Sequence, residues 1–376
     1  MKIVYCIHST YNPGGMERTL LNKVRWLWAK GGYEITVVTT DQKGRPPFFE
    51  FPHGVKTVDL DINYSDDNGR NPVLKTLGYL RRRSLHKKRL ASLLEREKAD
   101  ITVSLFPSES SFIPSLEDGS KKVLELHFCK FFRLQYNRGG LLGLADRLRT
   151  RLDERLVRRF DKFVVLTLED AGYWGPLPNI EIIPNAAPKT VATPYYTASR
   201  RVVAAGRLDY QKGFDRLISA WGQIPAESRE GWRLDIFGQG EWQERLENQI
   251  RDMGLSGQIG ILPPSKNIME EFAKSSFLAM SSHYEGFPMV MVEAMACGLP
   301  VVSFDFKCGP KDIIANGENG FTVPQDDIGA LASAMARLME NDEVRTAMSA
   351  SAASSMERFS EDRVMNQWVN CFKSIL

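Results

Sequence analysis

The regular alternation of short β-branched runs with longer helical segments constrains the fold of this 376-residue chain more than any other feature. In the first half, the runs that predict strands are KIVYCIHST, EITVVTT, ADITVSLF, KKVLELH, KFVVLT and IEIIPNA. The pattern then starts again with RVVAAGRL, WRLDIFGQG, FLAMSS and LPVVSFD. Strands that alternate with helices indicate βαβ units and parallel sheets. We therefore predict an α/β fold of two tandem Rossmann-like, doubly wound domains.

Length and a linker-like segment divide the chain between these two domains. The chain exceeds the usual size of one domain, about 100–150 residues. Residues 186–200, AAPKTVATPYYTASR, contain two prolines and few large aliphatic side chains, which is typical of a linker. We predict a first domain over residues 1–187 and a second over residues 188–359. The helical segment at about 360–376 is expected to cross back to the first domain.

Composition and cysteine use predict a globular, cytoplasmic protein. Hydrophobic residues make up 43% of the chain and charged residues 25%, and no apolar run approaches the roughly 20 residues that span a bilayer. The N-terminus predicts a first strand, because it has neither the charge pattern nor the cleavage site of a signal peptide. The five cysteines are dispersed and odd in number, which argues against a disulfide framework or a set of zinc ligands.

Positive charge is concentrated in the first half of the chain. Residues 1–185 carry 30 Lys and Arg against 22 Asp and Glu, a net charge of +8, whereas the remainder has a net charge of −5. Residues 68–94 contain eight of these cations and no acid, and residues 144–160 place arginines between leucines at helical spacing. With the aromatics of PPFFEF and HFCKFFRLQY, these segments suit an anionic membrane surface. Ordinary solvated helices are the alternative.

Three loops that follow predicted strands have the composition of ligand-binding loops. Gly14 and Gly15 precede a helix, so their backbone N–H groups are accessible to a phosphate, although a tight turn has the same composition. Arg207 and Lys212 lie on one strand-to-helix turn and can neutralise a diphosphate without a metal; exposed turn charges are the alternative. Gly238 follows another strand, but the third glycine of a dinucleotide fingerprint is missing, which weakens a nicotinamide-binding hypothesis.

Two glutamates occupy unusual places in the segment SSHYEGFPMVMVEAMACGLPVVS. Pro288 and Gly298 predict a helix over roughly 288–297. Glu293 lies inside that helix among apolar residues, where an unpaired charge is costly, and ribose hydroxyls would satisfy its carboxylate. Glu285 precedes the helix and can contact a second polyol. Alternatively, Glu285 is a loop charge that favours the helix start, and Glu293 pairs with a nearby Lys or Arg.

Seven segments carry a resemblance to a known family: NPGGMERTLLNKVRWL, LTLEDAGYW, IEIIPNA, AAGRLDYQKGFDRLISAW, LDIFGQGEW, SSHYEGFPMVMVEAMACGLPVVSFD with its E-x7-E spacing, and CGPKDIIANGENGFTV. In this order they resemble the motifs of retaining glycosyltransferases of family 4. The resemblance implies the GT-B architecture, in which two Rossmann-like domains face a central cleft. The first domain would bind the acceptor and the second the nucleotide sugar. This sequence departs from the family's Pro-Asn-Gly phrase, because Ala186 follows Asn185. The departure affects the expected hinge geometry but not the expected chemistry.

The resemblance also implies roles for individual residues. Glu293 would hold the ribose of the donor, and Glu285 would contact the transferred hexose near the reacting centre. Arg207 and Lys212 would bind the diphosphate, and the loop of Gly14 and Gly15 would close over it. His127 matches the family's active-site histidine near the outer hydroxyl of the sugar, although a structural histidine is the alternative. The predicted substrate-binding set is completed by Gly238, Phe287, Pro288 and Met289.

The implied reaction moves a hexose or N-acetylhexosamine from a nucleotide diphosphate sugar with retention of the anomeric configuration. The segment CGPKDII is similar to bacterial polysaccharide transferases that use UDP-sugars, and GDP-mannose stays open as a donor. The acceptor would be a polyprenyl-linked or polysaccharide glycan in cell-surface glycan synthesis. No cofactor or metal is expected. We interpret Asp59-Leu60-Asp61, a D-x-D sequence that binds cations in a different fold, as an accidental strand-end pair.

Three other functions stay open at this point. A sugar-nucleotide epimerase of the same architecture would need no acceptor, and a non-catalytic sensor would bind a sugar nucleotide without transfer. A nucleic-acid-binding protein would explain the basic first half of the chain. However, no recognition module is recognisable and the second half is acidic, so a nucleic acid partner is not expected.

Overall fold

The computed structural model describes residues 1–67, 69, 71–105, 107–134, 139–189 and 199–376. The chain divides into two compact units, Met1–Pro184 with Val364–Leu376, and Asn185–Arg363. Each unit contains one parallel sheet with helices, so the predicted α/β class with two Rossmann-like domains is confirmed. Within the predicted linker, residues 190–198 lie outside the described residues.

The first unit contains a seven-stranded parallel sheet. Its strands are β1 (Lys2–Cys6), β2 (Glu34–Thr39), β3 (Lys56–Asp59), β4 (Ile101–Ser104), β5 (Lys121–Glu125), β6 (Lys162–Val165) and β7 (Ile180–Ile182). Their order in the sheet is β3-β2-β1-β4-β5-β6-β7. The helices are α1 (Gly15–Lys30), α2 (Pro72–Glu97), α3 (Gly140–Leu156) and α4 (Leu168–Trp174). Residues Ile3–Cys6 and Ile101–Ser104 are buried throughout, as expected for central strands with both faces covered.

The second unit contains a six-stranded parallel sheet. Its strands are β8 (Arg201–Ala205), β9 (Arg233–Phe237), β10 (Ile259–Leu262), β11 (Phe277–Met280), β12 (Val301–Phe304) and β13 (Gly320–Val323). The helices are α5 (Phe214–Gln223), α6 (Gln243–Asp252), α7 (Ile268–Ala273), α8 (Met289–Ala296), α9 (Pro310–Ile313), α10 (Ile328–Glu340) and α11 (Asp342–Ser355). The order is β10-β9-β8-β11-β12-β13, which reverses direction between β8 and β11. Ligands of open α/β sheets bind beyond the strand ends at such a reversal.

The C-terminal helix α12 (Glu361–Lys373) returns to the first unit from Val364 onward, as predicted. It buries one face there, with Val364, Met365, Trp368, Cys371 and Phe372. The first unit is therefore built from both ends of the chain. Within the described residues, no helix is both long enough and apolar enough to cross a bilayer.

Helix α1 differs from its predicted pattern in one respect. Leu20, Leu21, Val24 and Leu27 are buried as their spacing predicts, but Trp28, expected on the same face, is 49% exposed. Lys23 is buried instead. Its ammonium has partners that lie far away in the sequence, which hydrophobic periodicity cannot detect.

Candidate functional site

The loops after β8 and β11 bring Lys212 and Glu285 into contact. Lys212 Nζ donates to Glu285 Oε1 at 2.6 Å. The same oxygen accepts from Ser282 Oγ at 2.8 Å, and Gln211 Nε2 donates to Oε2 at 3.3 Å. Glu285 is only 8% exposed, so these donors fix the direction of its carboxylate. Sequence reasoning named Lys212 and Glu285 separately but missed their contact, and it missed Gln211 and Ser282.

Two hydrogen bonds to backbone carbonyls hold these two loops together. Ser281 Oγ donates to the Lys212 carbonyl at 3.0 Å, and the His283 amide donates to the Gln211 carbonyl at 2.8 Å. Gly213, at the start of α5, has a left-handed backbone with φ of 61°. A Cβ there would lie 2.4 Å from the Ser281 carbonyl oxygen, so only glycine allows this close approach.

Arg207 lies on the same loop and reaches the pair through Gln211. Its Nη2 donates to Gln211 Oε1 at 2.9 Å, and its Nε lies 3.3 Å from Asp209 Oδ2. The Arg207 side chain is 71% exposed. The structure therefore brings the two predicted cations and Glu285 together, with Arg207 open to solvent and Lys212 largely buried.

Gly238 has a packing role that explains its identity. A Cβ at this position would lie 2.0 Å from the Gly206 carbonyl oxygen, in the loop after β8. The Gly206 amide also donates to the Phe237 carbonyl at 3.0 Å. The glycine thus allows the loops after β8 and β9 to pack against each other. Its predicted contact with substrate stays a prediction.

Helix α8 begins at Met289, immediately after Pro288, and carries Glu293 on a buried turn. Glu293 is 8% exposed. Burial, and then the nearby Glu293 carboxylate, raise the pKa of the Cys297 thiol to about 11. Phe287 is buried and packs edge-on against Phe359, with 5.7 Å between the ring centroids. The side chain of Phe287 thus serves packing, which leaves its backbone for the predicted contact.

The remaining predicted residues, Gly14, Gly15 and His127, lie in the first unit. Gly14 precedes helix α1 with an extended backbone and, as a glycine, supplies no side-chain cap to it. A Cβ at Gly15 would meet no atom within 4 Å. The Glu17 carboxylate lies against this helix start, since a Cβ at Gly14 would be 2.1 Å from its Oε2. The predicted phosphate contact of this loop stays a prediction.

His127 lies beside a buried ion pair. Its Nε2 lies 3.2 Å from Glu125 Oε1, and the two Glu125 oxygens accept from Lys23 Nζ at 2.7 and 2.6 Å. Burial alone would raise the pKa of Glu125, but Lys23 and His127 lower it to about 2. The Lys23 ammonium also lies 3.5 Å from the ring centroid of Trp368 in α12. Glu125 and Lys23 were missed because this pairing joins distant parts of the sequence.

The D-x-D sequence lies at a strand end, as interpreted. Asp59 is the last residue of β3 and accepts a hydrogen bond from Thr39 Oγ1 at 3.0 Å. Asp61 has a positive φ of 50° and is exposed.

Comparisons with known proteins agree with this fold. Residues 192–355 match the sequence profile of the family described as glycosyl transferases group 1. The structure resembles TarM of S. aureus, with a TM-score of 0.81 at 16% identity over 99% of this chain and 98% of that chain. It also resembles HepE of Anabaena in complex with UDP, with a TM-score of 0.76 at 19% identity over the full length of both chains. The fold is GT-B, and the profile supports a glycosyltransferase.

Curated relatives match different shares of the chain. An uncharacterised glycosyltransferase of Haemophilus influenzae is 27% identical over 98% of both chains. The amylovoran biosynthesis glycosyltransferase AmsD of Erwinia amylovora is 31% identical over 55% of this chain and 61% of its own. An exopolysaccharide phosphotransferase of Streptomyces coelicolor is 34% identical over 53% of this chain, which spans only 21% of that protein. Two of these three relatives are named as glycosyltransferases and one as a phosphotransferase.

Proposed function

We propose that this chain is a retaining glycosyltransferase of family 4 with an E-x7-E motif. It transfers a hexose or N-acetylhexosamine from a UDP-sugar to a lipid-linked or polysaccharide acceptor, without a metal. The observation that carries the proposal is the contact of Lys212 with Glu285 where β8 and β11 end. A cation and a fixed carboxylate at this point suit a sugar joined to a diphosphate.

In the proposed reaction, the second unit positions the donor and stabilises charge. The Lys212 ammonium and the Arg207 guanidinium neutralise the leaving diphosphate. Glu285, held by Lys212 and Ser282, accepts hydrogen bonds from hydroxyls of the transferred sugar. Glu293 holds the ribose, and the leaving phosphate takes the proton of the acceptor on the face of attack. The roles predicted for Gly14, Gly15 and His127 form part of this proposal.

UDP is the proposed nucleotide, with GDP-mannose as the alternative donor. The similarity to HepE, which was crystallised with UDP, supports this choice, as does the CGPKDII segment. A panel of UDP-glucose, UDP-galactose, UDP-N-acetylglucosamine and GDP-mannose, each radiolabelled in the sugar, would be incubated with bacterial lipid extract. We expect label in the lipid fraction from a UDP-sugar. Label from GDP-mannose alone would contradict the choice of UDP.

The carboxylate of Glu285 provides the test of the site. We expect Glu285→Gln to lower the transfer rate by about 100-fold or more, as loss of one preorganised charge contact does. Glu318→Gln, an exposed glutamate of the same unit, is the matched control and should transfer normally. NMR of the product should show the anomeric configuration of the donor. Equal rates for the two variants, or an inverted product, would contradict the proposal.

Metal independence has its own test. Because two side-chain cations face the leaving group, EDTA should leave the transfer rate unchanged. Complete loss of activity in EDTA, restored by manganese, would refute this part of the proposal.

The basic first unit is proposed to act at the inner face of the cell membrane. Leucines 144, 148 and 152 of α3 are each at least half exposed, and arginines lie between them. Such a surface suits anionic lipid, with ordinary solvated helices as the alternative. Co-sedimentation with vesicles of phosphatidylglycerol at low salt should pull down the protein. A protein that stays in the supernatant would eliminate membrane binding.

A further inference from the structure

A cavity of about 760 Å³ lies in the first unit, beyond the ends of β3, β4 and β5. Its walls come from the turn after β3, helix α2, the loops after β4 and β5, and helix α3. The volume falls within the range of about 300–1,000 Å³ that is usual for small-molecule sites. The cavity shares no lining residue with the positions proposed to bind the donor.

Cationic side chains outnumber carboxylates in the wall of this cavity. Its described lining residues include five cations and two carboxylates. Both carboxylates already have cationic partners, since Asp67 accepts from Arg82 Nε at 2.9 Å and Asp153 pairs with Arg133. The cations are Lys75, Arg133, Arg149, Arg155 and Arg159.

Three of the five cations are available to a ligand. Lys75, Arg155 and Arg159 are exposed and form no ion pair with another residue that the structure describes. Guanidinium groups bind phosphate through two parallel hydrogen bonds, and several cations of one wall raise the local concentration of an anion. The charge of the cavity therefore suits a phosphate or a diphosphate.

The other part of the wall is apolar and continues beyond the cavity. The rings of Tyr64 and Tyr79 lie 5.8 Å apart, and Leu152 and Leu156 face the same cavity from α3. Leu148 lies one turn from Leu152, and these leucines are 57% and 50% exposed. An apolar chain that leaves the cavity therefore has an apolar surface on which to lie.

We propose that this cavity binds a lipid phosphate. The arginines hold its phosphate or diphosphate, and its apolar chain lies along Tyr64, Tyr79 and Leu152 and out over Leu148. A phosphorylated lipid is a chemical form in which a glycan acceptor can be carried. The inference thus deepens the proposed function and rests on it for the assignment of the ligand as the acceptor. Binding itself does not require sugar transfer.

Calorimetric titration with three soluble probes tests the proposal on the full chain. Farnesyl diphosphate carries both an anionic diphosphate and an apolar chain. Inorganic diphosphate carries only the anion, and farnesol carries only the apolar chain. We expect farnesyl diphosphate to bind at least 10-fold more tightly than either of the others. Inorganic diphosphate of equal affinity would show a free-phosphate site, and farnesol of equal affinity would show an apolar site; both results overturn the proposal.

Two double variants locate the binding. Arg155→Ala/Arg159→Ala removes two cations of the cavity, and Arg147→Ala/Arg151→Ala removes two exposed cations of α3 that do not line it. We expect the first variant to lower the affinity for farnesyl diphosphate by 10-fold or more and the second to change this affinity by less than 3-fold. Circular dichroism would check that both are folded. Equal effects of the two variants would contradict the location.

A competition experiment separates this proposal from the proposed function. Saturating UDP should leave the affinity for farnesyl diphosphate unchanged, as should Lys212→Met. Displacement by UDP would mean that farnesyl diphosphate occupies the nucleotide site, which overturns the inference. If the chain binds farnesyl diphosphate as expected but transfers no sugar, the proposed function fails and the lipid phosphate site stands.

Discussion

Glu109 is a buried carboxylate of the first unit, 3% exposed, whose Oε1 accepts a hydrogen bond from Ser104 Oγ at 2.5 Å. Burial raises its pKa to about 7, and the Ser104 hydroxyl only partly opposes this rise. The folded chain therefore holds a proton there that the unfolded chain loses near pH 4.5. The stabilisation from this proton is complete below pH 4.5 and is lost as the pH rises to about 7.

A pH series of urea unfolding tests this titration. Glu109→Gln cannot ionise, so its free energy of unfolding relative to the native protein should increase between pH 5 and pH 8. The increase should be at most about 3 kcal/mol, since one pKa unit corresponds to about 1.4 kcal/mol. Glu117→Gln, an exposed glutamate nearby, should show a constant difference. A constant difference for Glu109→Gln as well would show that the carboxyl titrates normally.

Lys23 and Trp28 show where prediction at the residue scale fails. Apolar periodicity places Trp28 inside and Lys23 outside, and the structure does the reverse. The partners of Lys23 are Glu125, 102 residues away, and Trp368 near the other end of the chain. A buried ion pair depends on such distant contacts, whereas periodicity reports only local sequence.

At the scale of elements, local signals predicted most of the structure. Pro288 and Gly298 predicted a helix over 288–297, and α8 spans Met289–Ala296. The pairing of Lys212 with Glu285 was not predicted, because the two loops meet only when β8 and β11 are neighbours in the sheet. The family resemblance supplied both residues as parts of one site, but not their direct contact.

Gly238 gives a prediction at this scale. Gly238→Ala places a Cβ 2.0 Å from the Gly206 carbonyl oxygen, and backbone on both sides must shift. We expect the free energy of unfolding to fall by about 1–3 kcal/mol, as for other overpacking substitutions. Gly257→Ala is the control, because its Cβ would meet no atom within 4 Å. Urea unfolding of both variants is the measurement, and equal stabilities would contradict the packing role of Gly238.

At the scale of the whole molecule, the first unit depends on the last helix of the chain. Trp368 in α12 is 2% exposed and covers the Lys23 ammonium. The repeated strand and helix pattern predicted two sheets. The contact of α12 with the Lys23 ammonium was not predictable. The amphipathic pattern of the helix predicts an apolar partner, whereas Trp368 covers a lysine.

Trp368→Ala should therefore weaken one unit and spare the other. Loss of a buried tryptophan costs about 3–5 kcal/mol. Hydrogen exchange should become faster in β1–β6 and stay unchanged in β8–β13. Asn370→Ala, an exposed position of the same helix, should change neither sheet. Equal acceleration in both sheets would contradict the assignment of α12 to the first unit.

Nucleotide binding by the loops after β8 and β11 is the central claim, and calorimetric titration of UDP and uridine tests it most directly. Arg207 is 71% exposed, so Arg207→Ala should leave the fold intact. We expect the native protein to bind UDP more tightly than uridine. Arg207→Ala should lower the affinity for UDP by about 10-fold, the value of one charge-assisted contact, and leave the affinity for uridine unchanged. A native protein that binds neither UDP nor GDP, or a variant with undiminished affinity for UDP, would contradict the claim.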